Sequence, residues 1–430
     1  MKKMIIVGGD VVNPAGESGA LDILIEGGMI LDMVPTAAHV SVGEDYERID
    51  ASGCIVAPGL VDTHVHFRDP GQTYKEDIIT GAEAAKRGGF TTVVMMANTV
   101  PPIDNVETLK YVLEKGATTG INVKACANVT KEMMGESLTD MTALKEAGAV
   151  GFSDDGKPIV DSEVARDAMQ KAAELDMPIS FHEENPDFVK TPGFNRGRAS
   201  QYFEIGGADR AAESTMIRRD IDLAIETGAK IIIQHISTSN GVDLVRRAKA
   251  VGVDIHAEAT PHHFTLTEKD AIRYGTMAKM NPPLRTEEDR AAIIEGLRDG
   301  VIDMIATDHA PHTVEEKLKG ITKAPSGIIG LETALKLGIT ELVRPGKLSM
   351  EQLITRMSVT PAEVYGLNAG ALRIGGPADI VAFRQYRHEK VEDKFASKSK
   401  NSPFIGWELF GRIWYTIAAG EVVYRFDFEV

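Results

Sequence analysis

Hydrophobic and polar positions change their rhythm twice along the chain. Up to about residue 55, short apolar runs are punctuated by Gly, Asn and Pro, at Met4 to Val7, Leu21 to Glu26 and Met29 to Met33. Runs of this length and punctuation predict strands, and Ile25-Glu26-Gly27-Gly28-Met29-Ile30 predicts a hairpin turn. From about residue 55, apolar strand-like runs alternate with amphipathic segments of helical period. Eight strand candidates fall near 59–66, 91–98, 121–128, 149–155, 177–183, 230–236, 253–260 and 301–308. Helical stretches between them include Ile78 to Arg87, Val106 to Lys115 and Ser162 to Leu175. Others follow at Ala208 to Thr227, Gly241 to Ala250 and Glu287 to Asp299. After about residue 366 the β pattern returns, with a turn and strand over Leu372 to Phe383. A hairpin follows, Arg412 to Ile417 with Glu421 to Tyr424, joined through Ala419-Gly420.

Eight βα repeats predict an α/β fold, a closed (β/α)8 TIM-like barrel with its chemistry at the strands' C-terminal ends. Neither β-rich end is large enough to bury a core alone. The two ends are therefore expected to pack together as one small composite β-sandwich. The predicted division is 1–55 and 366–430 for the sandwich and 56–365 for the barrel. The lysine-rich stretch from Lys390 to Lys400 reads as a solvated loop.

Composition narrows the function classes. A chain of 430 residues with 43% hydrophobic and 26% charged residues is ordinary for a soluble globular protein. The net charge of -16 argues against nucleic acid as a partner. An anionic small substrate stays possible, because local cations decide that. Cys54 and Cys126 lie in apolar runs and read as buried free thiols, which suits a reducing cytoplasm. The apolar run at the N-terminus is too short for a signal peptide, and no stretch has the length of a membrane span.

The predicted strand ends carry the candidate chemistry. On the first, His64 and His66 flank Val65, so both imidazoles point to one side of a strand. Arg68 shares that parity or sits on the loop just beyond. The other ends carry Asn98, Asn128, Asp154-Asp155, His182, His235, His256 or Glu258, and Asp308. Four imidazoles with two carboxylates suit zinc or a similar divalent ion, and suffice for two. A carboxylate between two metals can bridge them and leave room for a bridging hydroxide, the basis of metal-assisted hydrolysis. Asp308 could hold that hydroxide and shuttle its proton.

Several segments together resemble the amidohydrolase superfamily, and within it the type I dihydroorotases. They are His64-Val65-His66-Phe67-Arg68-Asp69-Pro70-Gly71, Met96-Ala97-Asn98-Thr99, Ser153-Asp154-Asp155-Gly156 and His182-Glu183. Gln234-His235-Ile236-Ser237, Lys279-Met280-Asn281-Pro282-Pro283-Leu284-Arg285 and Ala306-Thr307-Asp308-His309-Ala310-Pro311-His312 complete the set. The resemblance implies reversible cyclisation of N-carbamoyl-L-aspartate to L-dihydroorotate, with two zinc ions per subunit. It assigns His64, His66 and Asp308 to one metal, His182 and His235 to the other, and a bridge to Asp155. Many superfamily members bridge with a carboxylated lysine; here Lys157 lies beyond the turn. Asp308 would be general acid and base.

Substrate contacts are implied at His66, Arg68, Asn98, Asn281, His312 and the Ser326-Gly327 backbone. His262, His263, His309 and Arg285 read as supporting groups. Two departures from the pattern stand out, Ala97 where relatives often have Pro and Ser326 where they often have Phe. The resemblance further implies a cytoplasmic homodimer that can associate with aspartate transcarbamoylase. The competing readings are an allantoinase or hydantoinase, and a silent scaffolding subunit, which would have lost metal ligands.

Overall fold

A computed structural model describes residues 2–38 and 42–426. Its barrel has the eight expected parallel strands, here numbered β1 to β8. They are β1 Leu60–Val65, β2 Phe90–Met95, β3 Asn122–Ala125 and β4 Phe152–Ser153, then β5 Ile179–Phe181, β6 Ile231–Ile233, β7 Ile255–Ala259 and β8 Met304–Ile305. Ladders join β1 to β3 and β4 to β8. Parallel bridges Ala127 to Phe152 and Val65 to His309 close the two arcs into a ring. Most strands are shorter than their apolar runs, because the last residues leave the ladder to present side chains at the mouth.

Helices begin where side chains can cap them. Asp77 accepts from the Thr80 amide ahead of Ile78–Gly88, and Thr286 with Asp289 forms a capping box ahead of Glu287–Asp299. One expected start moves. The long helix runs Ala211–Thr227, not from Ala208, because Ala208 pairs with Val189 and Asn195 in short bridges.

Both chain ends build one nine-stranded sheet. Ile55–Pro58 is the seam: it pairs parallel with Asp10–Val11 and antiparallel with Ile380–Lys390. Period-two alternation divides the faces. Ile380, Ala382 and Ile417 pack with Met4, Ile6 and Ile23 inside the sandwich. Val381, Phe383 and Ile413 face the other way and join the barrel core. The sheet's hairpins turn through Gly27-Gly28 and Ala419-Gly420, all four at positive φ, as two-residue turns that follow the strand twist require. Gly59 then passes the chain into β1 so closely that a Cβ there would lie 2.1 Å from Thr91 Oγ1.

The lysine-rich segment after residue 390 is not a solvated loop. Ser397, Ser399, Asn401 and Ser402 are buried. Ser397 Oγ donates to Glu76, Ser399 Oγ donates to Lys75 O at 2.7 Å, and Lys398 Nζ reaches Thr73 O at 2.8 Å. The segment is a strap from the sandwich to the barrel mouth. Composition hid this, since a lysine can stay wet while its serine neighbours pack.

Candidate active site

At the end of β1, alternation sends His64 and His66 into the barrel and Val65 into its wall. The chain there is tied to β8 twice. His66 N donates to His309 O at 2.9 Å, and Asp62 Oδ1 accepts from both His64 N and Thr307 N at 3.1 Å. Burial pushes the Asp62 carboxyl up to about 7.

Asp154 and Asp155 part company at the end of β4. Asp154 turns outward and accepts from Val129 N at 2.9 Å, Asn128 Nδ2 at 3.2 Å and the Thr130 hydroxyl. Asp155 turns inward and lies among four imidazoles. Its Oδ1 is 3.5 Å from His64 Nε2, 3.5 Å from His182 Nδ1 and 3.6 Å from His235 Nε2. Its Oδ2 is 3.4 Å from His66 Nε2. Lys157, by contrast, is exposed. Asp308 Oδ1 lies 2.9 Å from His66 Nε2 and 3.6 Å from His64 Nε2.

Two triplets, His64-His66-Asp155 and Asp155-His182-His235, can each hold a metal ion, with ligand atoms within 4.8 Å of one another. Asp155 belongs to both. His64 Nε2 is buried and has no hydrogen-bond partner. Two ligands of one tetrahedral zinc, with bonds of about 2.1 Å, stand about 3.4 Å apart. The Asp155–imidazole separations of 3.4 to 3.6 Å match that spacing. The donor set therefore fits a metal.

Outer contacts aim the imidazoles, as ligating histidines require. His64 Nδ1 lies 3.1 Å from Glu258 Oε2, whose other oxygen accepts from Thr63 Oγ1 at 2.7 Å. His66 Nδ1 is 2.9 Å from Asn98 Oδ1, and His182 Nε2 is 3.4 Å from Glu184. Of the two β7 candidates, Glu258 thus faces the site. His256, two residues nearer the strand's N-terminal end, instead meets Asp254 and Asp303.

Charge follows the same geometry. Burial alone would raise the Asp155 carboxyl. The His64 charge and hydrogen bonds from the surrounding imidazoles outweigh it and hold Asp155 well below the usual carboxylate range. Asp308 is lowered the same way, burial losing to the His66 hydrogen bond and the His64 charge. For His182, burial is outweighed by Asp155 and Glu184, and the ring is pushed up to about 10. Two carboxylates among four imidazoles call for positive charge, which ring protons or a bound cation can supply, each displacing the other.

Arg68, His235 and Asp308 sit at φ of 58°, 33° and 48°. Left-handed backbone at non-glycine residues costs on the order of 1–3 kcal/mol each, and such strain gathers at functional sites.

Above these residues opens a cavity of about 400 Å³. Arg68, Asn98, Asn281, His312, Ser326 and Gly327 line it. Arg68 lies on the loop beyond β1, with Nε 3.4 Å from Pro311 O. Asn281 Oδ1 accepts from Ser326 Oγ at 2.9 Å, which leaves its Nδ2 as the donor toward the cavity. Asn98 is already committed, for its Nδ2 donates to Asp155 O and Oδ2 at 3.2 Å. His312 Nε2 donates to Ser326 O at 2.8 Å. Gly327 gives its amide to Lys279 O at 2.8 Å, and its carbonyl takes Lys317 Nζ at 2.9 Å.

His262 and His263 lie beside the site with tilted rings, centroids 4.6 Å apart, and Arg285 braces Asn195 and Ala208 O, none of them lining the cavity. Sequence reasoning did not single out Lys279, Glu184 or Lys317. The fold buries Lys279 and Lys317 with their ammonium groups against loop carbonyls.

A shared carboxylate at the C-terminal mouth of a (β/α)8 barrel marks a metal-binding barrel enzyme. Known proteins narrow the class. Residues 55–423 match the amidohydrolase family. A dihydroorotase of Clostridioides difficile is 53% identical over 98% of this chain and 100% of its own length. One of Clostridium acetobutylicum is 50% identical over 98% and 99%. Among solved structures, an L-hydantoinase (dihydropyrimidinase) from Arthrobacter aurescens superposes with a TM-score of 0.86 at 30% identity, covering 99% of this chain and 96% of that one. The chain belongs to the amidohydrolase family, and within it to the dihydroorotases.

Proposed function

We propose that this protein interconverts N-carbamoyl-L-aspartate and L-dihydroorotate as a metal-dependent dihydroorotase of pyrimidine biosynthesis. The observation that carries the reading is the single Asp155 carboxylate shared by two histidine pairs, with Arg68 on the same cavity wall. The near-full-length identity to dihydroorotases supports it. In this reading the barrel spans 56–365, and 1–55 with 366–430 form the sandwich. His64, His66 and Asp308 would hold one zinc, His182 and His235 the other, with Asp155 shared between them. The nitrogen-rich donor set favours zinc over magnesium or calcium. Two buried free thiols, Cys54 and Cys126, suit the cytoplasm.

A divalent pair held there would lower the pKa of the attacking water and polarise the ring carbonyl. The chain's own groups do the rest. Asp308 takes the water's proton and returns it to the departing ring nitrogen; in ring closure it protonates the leaving oxygen. Arg68 presents a planar fork to the substrate carboxylate. Asn98 holds His66 and Asp155 in line beside that carboxylate. His312 adds a hydrogen bond by turning Nε2 from Ser326 O to the substrate. Asn281 Nδ2 donates to the ring, and the Ser326-Gly327 turn walls it in.

Side-by-side hydrolysis of dihydroorotate, allantoin and hydantoin, with metal analysis of the same sample, tests the reading. Dihydroorotate should be preferred by kcat/KM. Preference for an uncharged ring would move the protein to the hydantoinase reading. Arg68→Met supplies a sharper check. Loss of a charge-assisted contact should weaken substrate binding by about 1.5–3 kcal/mol. KM for dihydroorotate should rise more than kcat falls, and the preference over hydantoin should shrink. An unchanged KM would place the carboxylate elsewhere.

A further inference from the structure

The strap that crosses from the sandwich ends in one residue with an unusual set of partners. Asn401 is 1% exposed and lies far from every barrel strand in sequence. Its Nδ2 donates to Ala310 O at 3.0 Å and to Gly327 O at 3.1 Å. Its Oδ1 accepts from His312 N at 3.1 Å. Its backbone oxygen accepts from Ile329 N at 3.1 Å. An asparagine amide has two N–H donors and one oxygen, so the whole side chain is spent on two segments. One is 310–312, just past Asp308, and the other is the turn at 326–327. Both line the cavity.

Those two segments have few other ties to each other. His312 Nε2 meets Ser326 O at 2.8 Å, and Ala310 N meets Ile328 O at 2.8 Å. Lys317 pins Pro325 O and Gly327 O at 2.9 Å. The strap itself is anchored upstream of Asn401. Ala396 N and Ser397 N donate to Glu332 Oε1, and Ser399 Oγ to Lys75 O. Asn401 is therefore the point at which the strap, itself pinned to the barrel, ties together two walls of the substrate site.

We propose that Asn401 is a positioning residue for substrate binding, holding the His312 segment and the 326–327 turn in register around the ring. It touches neither the metal ligands nor the reacting atoms, so its effect should fall on binding and spare the chemical step. The inference rests on the proposed function for the substrate's identity, though not for the existence of a bound cyclic amide.

The test compares Asn401→Ala and Asn401→Asp with wild type on dihydroorotate and on hydantoin. Metal content and thermal midpoint are measured on the same preparations. Asparagine to aspartate keeps the volume and the acceptor for His312 N and loses both donors, so it serves if the alanine variant fails to fold. Unpaired buried carbonyls loosen the walls. KM should rise about tenfold or more in either variant, while kcat stays within about threefold and metal content holds. An unchanged KM in both variants overturns the proposal. So does a kcat that falls in step with lost metal or lost folded protein at constant KM, since that pattern is purely structural. Wild type that opens hydantoin and not dihydroorotate would instead reject the proposed function, and Asn401 would then be judged on hydantoin.

Discussion

Asparagine at position 308 should lower kcat by about 10²- to 10⁴-fold in both directions of the reaction, the range for loss of a general acid–base group. Asp308 stands 2.9 Å from His66 Nε2, at the rim between the metal cluster and the cavity. It is the one site carboxylate that touches both regions without lying between the histidine pairs. Its pKa is lowered by the imidazoles around it, burial notwithstanding. An ionised carboxylate there can accept a proton from water and, once protonated, has a donor for the ring nitrogen. The amide of asparagine cannot exchange a proton in that way. Because Asp308 is also 3.6 Å from His64 Nε2, metal content has to be read beside the rate. If full metal content comes with wild-type kcat, Asp308 is not the proton carrier. If kcat falls only as far as metal does, the residue is a ligand and nothing more.

The second large effect separates adjacent residues. Asp155→Asn should strip most of the bound metal, measured by elemental analysis after gel filtration, and abolish turnover with it. Every one of the four imidazoles has its nearest ring nitrogen within 3.6 Å of the Asp155 carboxylate. A neutral amide there offers one oxygen and no charge to ions that need anionic ligands. Asp154→Asn should keep its metal and lose stability instead. Its carboxylate accepts from Val129 N, Thr130 N and Asn128 Nδ2. An amide would turn donors against some of those, at a cost of about 1–3 kcal/mol. Equal metal loss in the two variants would break the assignment.

The contrast between those two aspartates shows how much of the site was legible beforehand. Alternation along a strand already says that adjacent side chains take opposite sides. The same rule aims His64 and His66 together. Periodicity located the barrel strands and placed most helix ends within a residue or two. The misplaced helix start at Ala208 had a different cause, since its bridges to Val189 and Asn195 are tertiary pairings that no local pattern encodes. On β7 the alternation offered His256 or Glu258, and only the direction of His64 Nδ1 selects Glu258.

Asn98 and His312 are a further case. The family resemblance implied hydrogen bonding to substrate, yet the fold first commits them to Asp155, His66 and Ser326 O. A residue type states what a side chain can donate or accept. Which partner it meets depends on every neighbour at once.

What the amino-acid order determined by itself is therefore what repeats or alternates locally. That covers the eight βα units, the β-rich ends, and the polar residues delivered to each strand's C-terminal end. Period two and period 3.6 are properties of a few consecutive residues. Only the tertiary structure decided what depends on closure of the ring and on the path of the chain ends. Closure turns residues from 64 to 235 into two triplets able to hold a metal around one carboxylate. The chain ends carry a serine- and lysine-rich strap to the mouth, where Asn401 meets Ala310, His312 and Gly327. Contacts between segments that far apart in the chain leave no period in the sequence, because each partner satisfies its local pattern equally well without the other.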